Sequence, residues 1–124
     1  MSNPISSSSA AAPVAAYSQA VEAGDLVFVS GQIPLNPENG ELVAETIEAA
    51  TAQSLRNVTR VLEAAGLGLE HVVKATVFLI DSGDYAGMDA TYRTPLPEPL
   101  PARESVFVAG LPKAAAGSIP GLSH

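Results

Sequence analysis

The sequence predicts a single α+β domain in which helices pack on one face of a mixed β-sheet. Three features lead to this prediction: two β-rich runs joined by a turn, one stretch with helical periodicity, and one run of β-branched and aromatic residues. The chain has 124 residues, enough for one hydrophobic core but not for two. We therefore expect one domain with the element order β-β-α-β-α-β.

The most informative stretch runs from Ala16 to Gly40. Two β-rich segments flank a Gly24-Asp25 turn, which is the pattern of a β-hairpin. The second segment ends in Ser30-Gly31-Gln32, where glycine leaves backbone amides and carbonyls open to a ligand. A second turn is predicted at Asn36–Gly40.

The middle of the chain changes to a helical period. Apolar residues recur at spacings of eight, three and four between Thr46 and Ala65. Thr46 suits the N-cap of this helix and Gly66 its C-terminal end. The run from Val72 to Ile80 is rich in β-branched and aromatic residues, which predicts a central strand.

A second, shorter helix and a final long strand are expected further on. Asp81 or Ser82 can cap a helix in which Tyr85, Met88 and Tyr92 share a face. Four prolines between positions 95 and 101 then favour an extended loop. A strand is predicted at about Glu104–Leu111.

The two ends differ from the rest of the sequence. Residues 1–15 contain a serine run and several alanines but no charge, and we expect a flexible tail there. Neither a secretory signal nor a transit peptide fits this composition. From about Gly117 the sequence is also atypical, because Pro120 and Gly121 oppose a full-length strand.

Composition excludes several classes of function. The chain has no cysteine, so disulfides, thiolate metal sites and cysteine nucleophiles are excluded. Thirteen acidic and six basic residues give a net charge of -7, which argues against nucleic-acid binding. No apolar run approaches the roughly 20 residues that span a bilayer, so we expect a soluble domain. The location that we expect for it is cytoplasmic. His71 and His124 have no acidic neighbours at ligand spacing, and we expect no metal site.

Arg103 is the first candidate site residue. It follows the proline-rich loop and directly precedes the predicted strand, and its guanidinium could hold a carboxylate through two parallel hydrogen bonds. Composition alone favours an ordinary surface arginine instead. Tyr17 offers a hydroxyl and an apolar ring, and an ordinary strand tyrosine is the alternative. A nucleophilic role for Ser30 is disfavoured, because no Gly-x-Ser-x-Gly motif surrounds it.

Seven short motifs, in order and at similar spacing, resemble the RidA/YjgF family. They are Tyr17–Val21, Ser30–Pro34, Asn57–Gly66, Val73–Leu79, Ala90–Tyr92, Pro101–Arg103 and Leu111–Lys113. The resemblance covers about Pro13 to Lys113. It implies a six-stranded mixed sheet with two helices on one face, in a chorismate-mutase-like homotrimer with pockets between subunits.

The resemblance also implies the site and the reaction. Arg103 matches the arginine that binds the substrate carboxylate, while Tyr17, Ser30 and Gly31 match residues of the pocket. Ser105 stands where many members carry a cysteine, and its backbone amide is expected to take part in catalysis. The implied activity is hydrolysis of small enamines and imines, of the 2-iminobutanoate type, to 2-oxo acids and ammonia. No cofactor is implied, because an imine is already electrophilic.

Two departures from the family pattern bear on activity and on the expected subunit interface, respectively. The position of the water-positioning glutamate falls on Ser118, and serine is not a general base near pH 7 without a partner. Asp89 stands where the family often has asparagine. The alternative hypothesis is therefore a non-catalytic protein that binds small carboxylates or acts as a trimeric scaffold. A ribonuclease is a third reading, which the acidic charge disfavours.

Overall fold

A computed structural model describes residues 2–13, 15–112 and 117–118 of the chain. Two helices and six strands are present in this part of the chain. Their order is β1 (Ser2–Ile5), β2 (Ala20–Ala23), β3 (Leu26–Val29), α1 (Ile47–Ala64), β4 (Lys74–Leu79), α2 (Tyr85–Arg93), β5 (Ala102–Phe107) and β6 (Gly117–Ser118). Short 3-10 turns at Leu69–His71 and Ser82–Asp84 precede β4 and α2. The mixed α+β architecture agrees with the prediction.

The strands form two three-stranded sheets, in the orders β1-β2-β3 and β5-β4-β6. The first sheet is antiparallel, and its central hairpin turns at Gly24, which has a φ of 61°. In the second sheet β4 pairs parallel with β5 and antiparallel with β6. As predicted, β4 is a central strand. The described pairing gives two sheets instead of the single six-stranded sheet that we expected.

Helix α1 begins and ends where the sequence indicated. The Thr46 hydroxyl accepts a hydrogen bond from the amide of Ala49 at 3.0 Å, and this caps the first turn. After the last turn Gly66 has a φ of 76°, in the left-handed region that glycine adopts without strain. The buried face of α1 contributes Leu55, Val58 and Val61 to the core.

The hydrophobic core lies between the helices and one face of each sheet. Alternate residues of β3 and β4 face it, namely Val27, Val29, Ala75, Val77 and Leu79. From α2, Met88 and Tyr92 complete the same core cluster. Tyr85, which was expected on their face, is more exposed at 40 %.

Part of the N-terminal segment, where we expected a flexible tail over residues 1–15, is paired in the structure. Residues Ser2–Ile5 pair with Ala20–Ala23 along the edge of the first sheet. The buried side-chain amide of Gln19 donates to the carbonyl oxygens of Ser7 and Ala11, at 3.2 and 2.9 Å. These contacts use backbone groups and leave no hydrophobic pattern in the sequence, so the sequence did not predict them.

The C-terminal part differs from the prediction in detail. The strand expected at Glu104–Leu111 is β5, which begins at Ala102 and ends at Phe107. Its parallel pairing with β4 runs from Lys74↔Ala102 to Leu79↔Phe107. The atypical C-terminus predicted from about Gly117 lies mostly outside the described residues. Gly117 and Ser118 are described, and they pair with Leu79 and Phe78. Within the described chain, no helix is long and apolar enough to cross a membrane.

Candidate functional site

Arg103 lies on β5 and points toward α2. Its Nη2 donates to the Asp89 carboxylate, with Oδ1 at 2.9 Å, and to the Tyr85 hydroxyl at 2.8 Å. Its side chain is 17 % exposed, so the guanidinium is mostly shielded from water but still accessible. Arg103 is therefore a fixed group and not the solvated surface arginine that composition alone favoured.

Two tyrosine rings of α2 complete the surroundings of this guanidinium. Arg103 Cζ lies 4.7 Å from the centre of the Tyr92 ring and 5.6 Å from that of Tyr85. Both distances suit a cation–π interaction. Tyr85, Asp89 and Tyr92 are spaced four and three residues apart, so one helix face presents all of them to β5.

The electrostatics keep the charge of Arg103 in place. Burial opposes the charged guanidinium, but the hydrogen bonds and charge interactions with Asp89 and Tyr85 together outweigh it and raise the pKa of Arg103. Burial also raises the pKa of the Tyr92 phenol, although the nearby Arg103 charge acts in the opposite direction. Both groups therefore keep their ordinary protonation at neutral pH.

Ser105 lies two residues further along β5, on the same face as Arg103. It pairs with Val77 of β4, just as Arg103 pairs with Ala75. Its hydroxyl oxygen is buried and has no hydrogen-bond partner among the described residues. An unpaired buried hydroxyl costs free energy, so this hydroxyl is a candidate to bond a group that the described residues do not supply.

The remaining predicted residues form a second group near the end of β3. Tyr17 and Gly31 line the same small cleft, together with Ala11, Ala12, Pro13, Gln19, Gln32, Ile33 and Leu35. Tyr17 is 42 % exposed and Gly31 is exposed. The Ser30 hydroxyl donates to the carbonyl oxygen of Ser18 at 2.6 Å. Its proton is therefore directed at a backbone group and not at a general base.

Asn57 of α1 supports this second group, and sequence reasoning did not single it out. Its side-chain amide is buried and donates to the carbonyl oxygens of Ile33 and Leu35, at 3.3 and 2.9 Å. Its own oxygen accepts from Gln53 at 3.1 Å. Asn57 thus fixes the segment that follows Gly31. The feature of the sequence that could have identified Asn57 is its position, as a polar residue, within the apolar stripe of α1.

The structure does not bring the five predicted site residues together within one chain. Arg103 contacts α2 and shares a face of β5 with Ser105, whereas the cleft of Tyr17 and Gly31 has no lining residue from β5 or α2. Larger clefts lie on α1, with volumes of about 500 and 360 Å³, and neither includes a predicted site residue. The described residues contain no group of three or more His, Cys, Asp or Glu side chains placed to hold a metal ion.

Comparisons with known proteins agree with the fold. A family described as Endoribonuclease L-PSP matches residues 7–119. A 2-iminobutanoate/2-iminopropanoate deaminase of Escherichia coli strain K12 is 44 % identical over 116 residues, which are 91 % of this chain and 90 % of that protein.

Two solved structures are similar over nearly their whole length. The crystal structure of RidA from the Antarctic bacterium Psychrobacter sp. PAMC 21119 has a TM-score of 0.93 and 40 % identity, and covers 97 % of each chain. That of Escherichia coli TdcF with bound serine has a TM-score of 0.90 and 34 % identity, over 97 % of this chain and 96 % of that one. From sequence and fold together, this chain belongs to the RidA/YjgF family, whose matching profile is described as Endoribonuclease L-PSP.

Proposed function

We propose that this protein hydrolyses small enamines and imines of the 2-imino acid type to 2-oxo acids and ammonia. The observation that supports this most is the Arg103 guanidinium, which is oriented by Asp89 and Tyr85 and is still 17 % exposed. Such a group suits the carboxylate of a small 2-imino acid. The similarity to a 2-iminobutanoate/2-iminopropanoate deaminase points to the same substrate class.

The proposed reaction needs little from the protein beyond positioning. Water adds to the imine carbon, and the nitrogen takes up a proton. The hydroxyl proton of the resulting carbinolamine is then transferred to its nitrogen, and the C–N bond breaks to release ammonia and the 2-oxo acid. Arg103 binds the carboxylate, and the backbone near Gly31 and the amide of Ser105 orient the reacting carbon. Tyr17 and Ser30 line the pocket. Positioning and fixed dipoles of this kind lower the barrier without a cofactor.

We further propose that the site is assembled between subunits of a homotrimer, with the six strands joined in one sheet. The separation of Arg103 and Ser105 from the cleft of Tyr17 and Gly31 supports a shared pocket. Uncovered apolar side chains on the sheet faces opposite the core support association. Leu26, Phe28 and Val106 are 42, 49 and 38 % exposed there.

One observation favours a second candidate, a non-catalytic protein that binds small carboxylates or acts as a trimeric scaffold. Ser118 stands where the family resemblance leads us to expect a water-positioning glutamate, and it lies in β6 beside Phe78. A serine does not take a proton from water near pH 7 without help. Endoribonuclease activity is disfavoured by the net charge of -7.

The first experiment measures ammonia and 2-oxo acid release from freshly generated 2-iminobutanoate, with the wild type, Arg103→Ala and Arg60→Ala. Arg60 is an exposed arginine of α1, so its removal controls for the change in net charge. We expect wild-type acceleration over buffer. Arg103→Ala should lower kcat/KM by about 10- to 100-fold, as for the loss of a hydrogen bond to a charged group. Arg60→Ala should retain wild-type activity.

Two results would separate the candidates. Carboxylate binding without acceleration, by a folded wild-type protein, would favour the non-catalytic protein over the deaminase. Ser118→Glu then tests whether the acid is the limiting group. A gain of activity would show that it is, and no gain in a folded variant would show that the missing glutamate does not limit turnover.

A further inference from the structure

Asp89 and Tyr85 both contact the Arg103 guanidinium at the same nitrogen. Nη2 lies 2.9 Å from Asp89 Oδ1 and 2.8 Å from the Tyr85 hydroxyl. A guanidinium Nη carries two protons, so these two acceptors use both of them.

The identity of this nitrogen matters for the binding of a second carboxylate. A guanidinium can hold a carboxylate through two parallel bonds in two ways, from Nε with Nη2 or from Nη1 with Nη2. Nη2 takes part in both arrangements. A ligand carboxylate therefore receives a single hydrogen bond from Arg103, unless Asp89 or Tyr85 releases the Nη2–H group that it accepts.

We propose that Asp89 is a specificity-determining residue that competes with the ligand carboxylate for Nη2 of Arg103. The inference rests on the proposed function only in taking Arg103 as the group that receives the ligand. Asp89 lowers the affinity for small carboxylates, and it does so selectively. A neutral ligand of the same shape, which accepts one bond from Nε or Nη1, does not compete with Asp89.

Arg93 is a second cationic partner for the Asp89 carboxylate. Its Nη2 lies 3.6 Å from Asp89 Oδ2, one helical turn along α2, and its side chain is 64 % exposed. One carboxylate thus stands between two guanidinium groups. When a ligand carboxylate takes Nη2 of Arg103, Asp89 turns toward Arg93 and keeps a charged partner. Arg93 therefore favours binding by stabilising the displaced Asp89.

The test measures equilibrium binding of 2-oxobutanoate and of its neutral amide, 2-oxobutanamide, by calorimetry or by NMR titration. The proteins are the wild type, Asp89→Asn, Arg93→Ala, the double variant, and Asp25→Asn. Asp25 is an exposed residue of the β2–β3 turn, so its variant has the same change in net charge far from the pair. Circular dichroism verifies that each variant is folded.

Asp89→Asn should bind the acid about fivefold more tightly, as expected for release of a partly exposed ion pair, and the amide equally well. Arg93→Ala should weaken acid binding in the wild-type background and have no effect in the Asp89→Asn background. An effect of Arg93→Ala that persists in the double variant would indicate general electrostatic attraction and would overturn the role given to Arg93. Asp25→Asn should match the wild type.

The proposal on Asp89 is wrong if Asp89→Asn gains no affinity for the acid, or if the amide gains as much. It is also wrong if neither protein binds the acid at all. These measurements need no turnover, so they separate the two proposals. A selective gain without ammonia release would keep the role of Asp89 and reject the deaminase. Turnover without a selective gain would do the opposite.

Discussion

The guanidinium carbon of Arg103 lies 4.7 Å from the centre of the Tyr92 ring, and this contact joins strand β5 to helix α2. Tyr92 is 4 % exposed, and its hydroxyl has no hydrogen-bond partner among the described residues. The ring and the hydroxyl of Tyr92 therefore differ in importance, because only the ring has an evident function within one chain.

Tyr92→Phe keeps the ring and removes the unpaired hydroxyl. We expect the free energy of unfolding to stay the same or to rise by up to about 1 kcal/mol, because a buried group without a partner is lost. Tyr92→Leu, which also removes the cation–π contact, should cost about 1–3 kcal/mol. Urea unfolding followed by circular dichroism compares the two. A marked loss in Tyr92→Phe would show that the hydroxyl bonds to a group outside the described contacts.

Asn57→Leu should destabilise the protein by about 2–4 kcal/mol, since the carbonyl oxygen of Leu35 loses the Asn57 donor and that of Ile33 keeps only the amide of Leu35. Thr59→Val on the same helix is the control, because its hydroxyl bonds only to Leu55 within α1. Urea unfolding measures both. If Asn57→Leu unfolded at the same urea concentration as Thr59→Val, the Asn57 amide would not be what holds the segment after Gly31.

Glu104 links pH to stability. Lys74 Nζ lies 3.0 Å from Glu104 Oε1, and its hydrogen bond and charge hold the pKa of Glu104 below its ordinary value of 4.5. A carboxyl group with a lowered pKa stabilises the folded state above pH 4.5, and this stabilisation is lost as the pH falls through the folded pKa.

We therefore expect Glu104→Gln to lose less stability than the wild type between pH 6 and pH 3 (approximate limits chosen around the ordinary pKa). The effect should be small, because the pair is exposed. Thermal unfolding across this range measures it. Glu38→Gln, at an exposed turn residue, serves as the control. An identical pH dependence of wild type and Glu104→Gln would mean that the pair contributes nothing.

Phe28→Asp tests the proposed assembly. Phe28 is 49 % exposed on the face of β3 opposite the core, so a charge there should leave the folded chain intact and prevent its burial against another copy. We expect sedimentation velocity to show a trimer for the wild type and a monomer for Phe28→Asp. Ala44→Asp, in the exposed loop before α1, should remain trimeric. A trimer of Phe28→Asp would exclude this face from the interface.

Local sequence patterns predicted the elements that depend on local interactions. The Gly24 turn, the Thr46 cap and the period of α1 are properties of neighbouring residues, and each was found where expected. Strand β1 was not predicted, because Ser2–Ile5 pairs through its backbone and has no alternation of apolar and polar residues. No pattern within the segment encodes that pairing.

The candidate site also combines features that the sequence predicted with contacts that it did not predict. Arg103 and Tyr17 were identified through the family resemblance, since neither has a distinctive local pattern. The contact of Arg103 with Asp89 and Tyr85 was not predicted. It depends on how the proline-rich loop returns the chain from α2 to β5, and residue spacing does not determine that path. The role of Arg103 is a prediction that the Arg103→Ala experiment tests, and the roles of Tyr17, Ser30, Gly31 and Ser105 remain predictions.

The two sheets also imply an order of folding. Every pairing of the first sheet joins residues between Ser2 and Val29, so its loops are short and inexpensive to close. The second sheet needs a parallel crossover through α2, and then a return of the chain to place Ser118 beside Phe78. Distant pairings of this kind slow folding. We expect the N-terminal hairpin to gain protection from amide exchange first, and the strand pair that carries Arg103 to gain it later.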